Sequence, residues 1–583
     1  MIRPMTTRKR ILSRLHNASF CPKIMVLFLV IIIFIRLPSQ SASKAPVIAK
    51  NGMVATSESF ASRIGVNILK KGGNAVDAAV AIGFALAVTH PAAGNLGGGG
   101  FMMIRLQNGE TTCIDYRERA PSAASKNVYL SSSGSVVPEA STRGYRASGV
   151  PGTVAGLCFA LKKFGRLSLW EVIQPAIDLA EKGFPVSDHL SQSLKDSARL
   201  LQAFPESARI YLREGKYFEP GETFVSKDLA WSLKVIRDQG LAGFYHGPIA
   251  QKIAQEYKAH GSWITQEDLS SYEPVIRVPL QGSYREYGVI TVPPPSSGGI
   301  VLLEMLNILE RYNLSELGAG SSQTIHFMVE AMRRSFRDRC ELMGDPDFVE
   351  IPVRKLISKQ YAESLRSSIQ PEKASATTAL PSRTQSGAEK DQTTHYSIVD
   401  NTGNAVANTY TLNGSYGSGV TVAGTGILMN NEMDDFTAKV GMPNADGLIQ
   451  GESNGIDAGK RPLSSMTPTF LTKDGKLFLV IGSPGGPTII NTVLQVILNL
   501  IDFNFTIQEA IDAPRVHHQW LPDQLKVEIH GFARDVTVAL RSLGHHVVAD
   551  GYMGDAEGIL LDPKDHFLKG ASDPRGDGLT VGY

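Results

Sequence analysis

Thr393 follows a polar stretch, Pro371 to Gln392, that carries Ser, Thr, Ala and charge and no aromatic residue. Such a composition cannot bury enough apolar surface to offset its ordering entropy, so it reads as an exposed linker that can be cut. A cut before Thr393 would give one residue both a hydroxyl nucleophile and a free α-amine to act as its base. That pairing is one of few ways to activate a threonine hydroxyl at neutral pH. A β-branched residue that merely opens a strand explains the same residues. Beyond it, Asn401-Thr402-Gly403 reads as a turn, and the returning strand brings Thr411 and Asn413 within a hairpin's width of Thr393. Thr411 could hydrogen-bond and orient the new amine. Glu432, Asp434 and Asp435 place three carboxylates in four residues, which fits either a solvated turn or a seat for an ammonium group. Ser464 and Ser465 offer paired hydroxyls. Gly485 and Gly486 stand where a strand gives way to a helix. Bare backbone N–H groups there meet the needs of an oxyanion hole; a turn that requires glycine fits equally.

The elements that must position these groups follow from periodicity. Phe60, Ile64 and Ile68 recur at helical spacing within Ser57 to Lys71, which Gly72-Gly73 stops. Asn74 can cap a second, nearly all apolar helix from Ala75 to Thr89. The glycine loop 94–100 then leads into a hairpin about Asn108-Gly109, whose second strand delivers Arg117. The middle, from about Leu157 to Arg366, is helical in pattern, except for a strand at Val289 to Val292. After Thr393 strands dominate, with a hairpin from Thr469 to Ile481 and a helix starting near Pro487. The expected class is an α+β layered body. The glycine loop follows a helix, whereas a dinucleotide fingerprint follows a strand, so a packing turn is expected. No Walker A run, metal triad or internal repeat is present in the sequence.

Composition is that of a globular protein, 43% hydrophobic and 20% charged, and a net charge of +2 gives no reason to expect nucleic acid. Residues 1–45 read as a targeting segment. Six basic residues precede an uncharged run from Ile24 to Ile35, which is short for a membrane span and suits a signal peptide, or a signal anchor if Arg36 snorkels. Either way the body is expected across the membrane from the cytosol, on a secretory route. Cys113, Cys158 and Cys340 lack metal-ligand spacing and read as buried thiols. Asn313 and Asn504 open glycosylation sequons.

Further motifs accompany these: Asn74-Ala75-Val76-Asp77-Ala78-Ala79, His90-Pro91, Gly97-Gly98-Gly99, Tyr116-Arg117-Glu118 and Gly149-Val150-Pro151-Gly152-Thr153. Thr393-Thr394-His395, Asn431 to Phe436, Arg461 to Met466 and Gly482 to Gly486 complete the set. In this order, from about Pro46 to Tyr583, the chain resembles the γ-glutamyltransferases, also called γ-glutamyl transpeptidases. The resemblance implies an α+β, four-layer αββα N-terminal-nucleophile hydrolase fold. It implies self-cleavage between Gln392 and Thr393 into a large subunit, 46–392 with its linker 371–392, and a small one, 393–583, that stay together. Thr393 would be the nucleophile, Thr411 its partner, and Gly485 and Gly486 the oxyanion hole. Arg117, with Ser464 and Ser465, would take the α-carboxylate of a γ-glutamyl donor such as glutathione. Asn413, Glu432 and Asp435 would take its α-amine. Acceptors would be amino acids, dipeptides or water, with no cofactor or metal. Asn413 also opens a sequon, expected to be unused because the residue faces substrate. Bacterial members carry an aromatic residue in the loop that lids the site. Met442 to Gly447 has none, which leaves the balance of transfer against hydrolysis open. The alternatives are a related acylase for glutaryl side chains, against which Asp435 argues, and an inactive γ-glutamyl-peptide binding protein.

Overall fold

The computed structural model describes residues 43–377 and 393–583. Gln392 and most of the targeting segment and of the linker lie outside the described residues. Two seven-stranded antiparallel sheets carry the architecture. The first runs Leu579–Gly582, Met53–Thr56, Thr393–Val399, Ala405–Thr411, Gly99–Arg105, Thr111–Asp115, Val275–Arg277. The second runs Val47–Ala49, Leu568–Ser572, Glu557–Leu561, Lys476–Gly482, Thr469–Lys473, Tyr287–Thr291, Leu280–Tyr284.

Strand alternation sorts the core into three slabs. On strand Gly99–Arg105, Phe101 and Met103 face the second sheet, with Ala407, Phe470, Val480 and Ile559. Met102 and Ile104 point the other way, into a slab shared with helix Ala75–Thr89. On the second sheet, Leu471, Leu479 and Ile481 join helices Gly298–Leu309, Ser322–Leu342 and Thr488–Ile501. Helices, sheet, sheet, helices is the four-layer αββα order, so each sheet is covered on both faces. This is why strands Thr393–Val399 and Ala405–Thr411 are buried at every position.

Local sequence accounts for the frame. Asn74 caps helix Ala75–Thr89 reciprocally with Asp77, and all fifteen helical residues are buried. The Asp400 carboxylate accepts the N–H of Ala75 at 3.0 Å while also bonding Thr402 and Asn404 N–H. One side chain thus folds the turn of the Thr393 hairpin and docks it on a helix N-terminus, where negative charge is favoured. The first helix starts at Ser59 rather than Ser57, because Glu58 caps it by accepting from Phe60 and Ala61 N–H. The helical middle also supplies the edge strands Val275–Arg277 and Leu280–Tyr284. They are too short, and too close to Pro279, for periodicity to reveal. Among the described residues no helix is long and apolar enough to cross a membrane.

Candidate active site

Thr393 opens its strand directly opposite Thr411, in a register that continues through Thr394↔Tyr410 and His395↔Thr409. The Thr393 hydroxyl donates to Thr411 Oγ1 at 3.3 Å, and Thr411 Oγ1 also accepts the Asn413 N–H at 2.9 Å. On the far side Thr411 pairs with Gly99. Gly98 packs so tightly that an added Cβ would lie 2.0 Å from the Thr411 carbonyl oxygen. The loop 94–100 is therefore a packing turn against the Thr393 hairpin.

His395 shares the inter-sheet face with Thr393. It bonds Thr409 Oγ1 at 2.7 Å and Ser397 Oγ at 3.1 Å, and Ser397 donates to the Glu557 carbonyl on the second sheet. Burial pulls its imidazole down to about 3, so it is neutral. A Cβ on Gly482 would meet the His395 ring at 2.2 Å. Gly482 ends the strand that leads to Gly485 and Gly486, so this ring packs the Thr393 strand against the strand before the glycine pair. Gly485 and Gly486 have φ of 125° and 53°, a region that favours glycine. They precede helix Thr488–Ile501, whose first N–H groups, from Thr488 and Ile489, return to their carbonyls.

The acidic turn is buried rather than solvated: Glu432 is 1% and Asp434 6% exposed. Arg117, fully buried, forks between Glu432 and Asp435, with Glu118 at 3.7 Å. Burial opposes the Arg117 charge, yet the three carboxylates hold it above the ordinary guanidinium value. Burial, against the pull of Arg117, pushes Glu118 up to about 7 and raises Glu432 well above the carboxylate range. Glu118 and Glu432, crowded on one guanidinium, thus keep a proton near neutral pH. Asp434 turns away: it accepts Ser141 Oγ at 2.6 Å and Ala445 N–H at 2.9 Å. It anchors the loop Met442–Gly447, which reaches Asp435 through Asn444 and stands against Gly486 through Asp446.

Two asparagines, Asn431 of the motif Asn431 to Phe436 and its neighbour Asn430, tie these loops together. Asn430 bonds Gly97, Gly149 and Glu432 main-chain groups. The Asn431 side chain bonds those of Gly414 and Thr142, and its carbonyl accepts from Asn413 Nδ2. Asn413 sits at φ 73°, a conformation asparagine tolerates. Ser464 and Ser465 lie beside Pro462, whose carbonyl accepts from Arg117 Nε at 3.4 Å. Their loop is fixed by Arg461, which pairs with Asp115 and whose N–H donates to Asp345 at 2.7 Å. The structure thus joins Arg117, Glu432 and Asp435 directly and sets Asn413 against Thr411. Arg339, found behind Ser465, and Glu118 were missed; only adjacency to Arg117 in Tyr116-Arg117-Glu118 could have flagged the latter.

Of Asn313 and Asn504, both are exposed and far in sequence from these loops. Cys113 and Cys340 are buried free thiols; Cys158 is half-buried on helix Thr153–Phe164 rather than fully enclosed, because it lies at the edge of that helix's packed face. Among the described residues one grouping has metal-ligand atoms in reach of each other: His326, Glu330 and His545, within 4.8 Å. The two imidazoles hydrogen-bond at 2.8 Å, and Glu330 pairs with Arg334 and Arg333. Two cations there disfavour a third, and the cluster reads as a structural network.

A family model described as gamma-glutamyltranspeptidase matches residues 61–583. The glutathione hydrolase proenzyme of Escherichia coli (strain K12) is 49% identical over 540 residues, 92% of this chain and 93% of that protein. Among solved structures, cephalosporin acylase from Bacillus halodurans aligns at a TM-score of 0.81 and 29% identity, over 94% of this chain and 98% of that one. The Helicobacter pylori gamma-glutamyltranspeptidase aligns at 0.55 and 46% identity, over 58% of this chain and 95% of that one.

Proposed function

Because the chain belongs to the gamma-glutamyltranspeptidase family, we propose that it cleaves the γ-glutamyl bond of glutathione and its conjugates and passes the γ-glutamyl group to an amino acid, a dipeptide or water. The observation that carries this reading is a strand-opening threonine paired with Thr411 beside a buried pocket of both charge signs. In the precursor, Thr393 Oγ attacks the Gln392 carbonyl. The peptide bond becomes an ester and the Thr393 nitrogen becomes a free amine; water then opens the ester. The chain divides into a large subunit ending at Gln392 and a small one from Thr393 to Tyr583. The new α-amine, with an intrinsic pKa of about 7.7–8.0, is partly neutral near pH 7 and takes the Thr393 hydroxyl proton. Thr393 Oγ then attacks the donor's γ-carbonyl, Gly485 and Gly486 N–H groups hold the oxyanion, and the leaving amine departs with the proton. An acceptor amine or water repeats the attack on the ester.

The charge pattern supports a zwitterionic donor. Without one, Arg117 is neutralised by Glu432 and Asp435. A γ-glutamyl group brings a carboxylate for Arg117 and an ammonium for the two acids, so every charge keeps a partner. A glutaryl amide brings only the carboxylate and strands two buried acids, which is costly. That is the argument against an acylase reading, although an acylase shares the fold. Turnover of glutathione together with two fragments on a denaturing gel is expected. Preference for a glutaryl amide would favour the acylase, and a single uncut band without turnover the binding protein.

The N-terminal segment is proposed to take the body to the cell surface, the cell wall, a vacuole or the medium. Retention in the pellet after an alkaline-carbonate wash would identify an anchor, and release a cleaved signal. Asn313 and Asn504 are proposed glycan sites. Asn413 is not, because its Nδ2 donates to the Asn431 carbonyl at 3.1 Å; a glycopeptide at Asn413 in active enzyme would refute this.

A further inference from the structure

Arg339, on helix Ser322–Leu342, is buried at 2% exposure. Its guanidinium donates to three neutral oxygens: Nε to Ser297 Oγ at 2.9 Å, Nη1 to Gln450 Oε1 at 3.1 Å and Nη2 to Ser465 Oγ at 3.3 Å. Among the described residues it makes no carboxylate ion pair. Burial pulls it down to about 10; Asp435 and Asp446 favour its charge from a distance and Arg117 opposes it. A buried cation without a paired anion is costly, so an anion that arrives later has reason to be sought.

Each of the three acceptors leads to the substrate pocket. Ser297 Oγ donates onward to the Ser464 carbonyl at 2.7 Å, and Ser297 N–H donates to the same oxygen at 2.9 Å. Gln450 Nε2 donates to the Asp435 carbonyl at 2.8 Å. Ser465 Oγ receives Arg339 itself. Ser464 Oγ accepts the Met466 N–H at 3.1 Å. A serine hydroxyl has one hydrogen to give. With both oxygens already accepting from protein donors, both hydroxyl hydrogens are left to donate, and a carboxylate can only accept.

We propose that Arg339 is a positioning residue for the donor's α-carboxylate: it fills one Ser465 lone pair and leaves that hydroxyl's hydrogen to donate, braces the Ser464 turn through Ser297, and adds a second buried positive charge beside the serine pair. This inference rests on the γ-glutamyl reading above. It makes the pocket select an anionic α-carboxylate over a neutral α-carboxamide.

The test compares two competitive inhibitors of γ-glutamyl p-nitroanilide hydrolysis, L-glutamate and its α-amide, L-isoglutamine. In processed Arg339→Gln enzyme, inhibition by glutamate should weaken about tenfold, the scale of a lost charge-assisted hydrogen bond, and inhibition by isoglutamine less than about threefold. KM should rise with kcat changing little. Arg339→Lys, which keeps the charge without the fork, should fall between. Equal weakening of both inhibitors, or of neither, would overturn the proposal. If the Gln variant does not process, the Lys variant carries the same comparison. Failure of both to process would assign Arg339 to folding and overturn it too. Wild-type enzyme that leaves the anilide intact would instead refute the γ-glutamyl reading itself.

Discussion

On the function proposed above, the reacting end and the recognition end of this pocket are built from opposite materials. At the reacting end, Thr393, Thr411, Thr409, Ser397 and a neutral His395 lie on two central strands, all uncharged. At the recognition end, Arg117, Glu118, Glu432, Asp435 and Arg339 crowd buried charge onto strand ends, turns and one helix. A sheet interior fixes a hydroxyl well but tolerates charge badly. The difference explains why the base must be made by the cut. No carboxylate or charged imidazole among the described residues hydrogen-bonds Thr393 Oγ1, and an amine on the nucleophile's own backbone needs no extra room.

The sharpest way to break this contrast is Thr393→Ala. It should abolish cleavage and lower turnover on the order of 10⁴-fold or more; a denaturing gel and glutathione assay read both, and persistent cleavage at Gln392 would sink the mechanism. Gly485→Ala should cost about 10²–10³ in kcat, as loss of an oxyanion donor does. Its Cβ would lie 2.4 Å from Thr488 Oγ1 at a φ that alanine resists. Little change in kcat would move the oxyanion site elsewhere. Arg117→Gln leaves Glu432 and Asp435 stranded, so about 3–5 kcal/mol of stability should be lost. KM in surviving enzyme should rise more than kcat falls; the reverse would erase the division between the two ends.

The smallest effect is a pH dependence. The folded value of Glu118 near 7 stands above its ordinary 4.5. Its contribution to stability is therefore complete below about 4.5 and is lost as pH rises through 7. Thermal midpoints should fall across that window, and Glu118→Gln should flatten the fall. An unchanged slope would place the shared proton on another acid.

The strands, the Asn74 cap and the glycine pair were legible because each is a local pattern: period two, a capping residue before an apolar run, a flexible pair after a strand. The layered class followed from their order. What stayed hidden is long-range. Nothing near residue 339 reveals that its arginine meets Ser465, 126 residues on. The acidic turn at 432–435 fits a solvated turn as well as an ammonium seat until Arg117, 315 residues away from Glu432, is placed inside it. Asn430 and Asn431 look like ordinary loop residues, because their partners at 97, 142 and 149 come from other segments.

Both sheets interleave strands from before and after the break. In the first, Thr393–Val399 and Ala405–Thr411 lie between Met53–Thr56 and Gly99–Arg105; in the second, Thr469–Lys473 lies beside Tyr287–Thr291. Either half alone would carry raw sheet edges inviting aggregation. The unbroken chain is thus a folding jig. Once both sheets have closed, the bond at its waist can be spent without loss of cohesion. Prying the pieces apart would mean unfolding them, so mixing separately made halves should give precipitate where the single precursor gives enzyme.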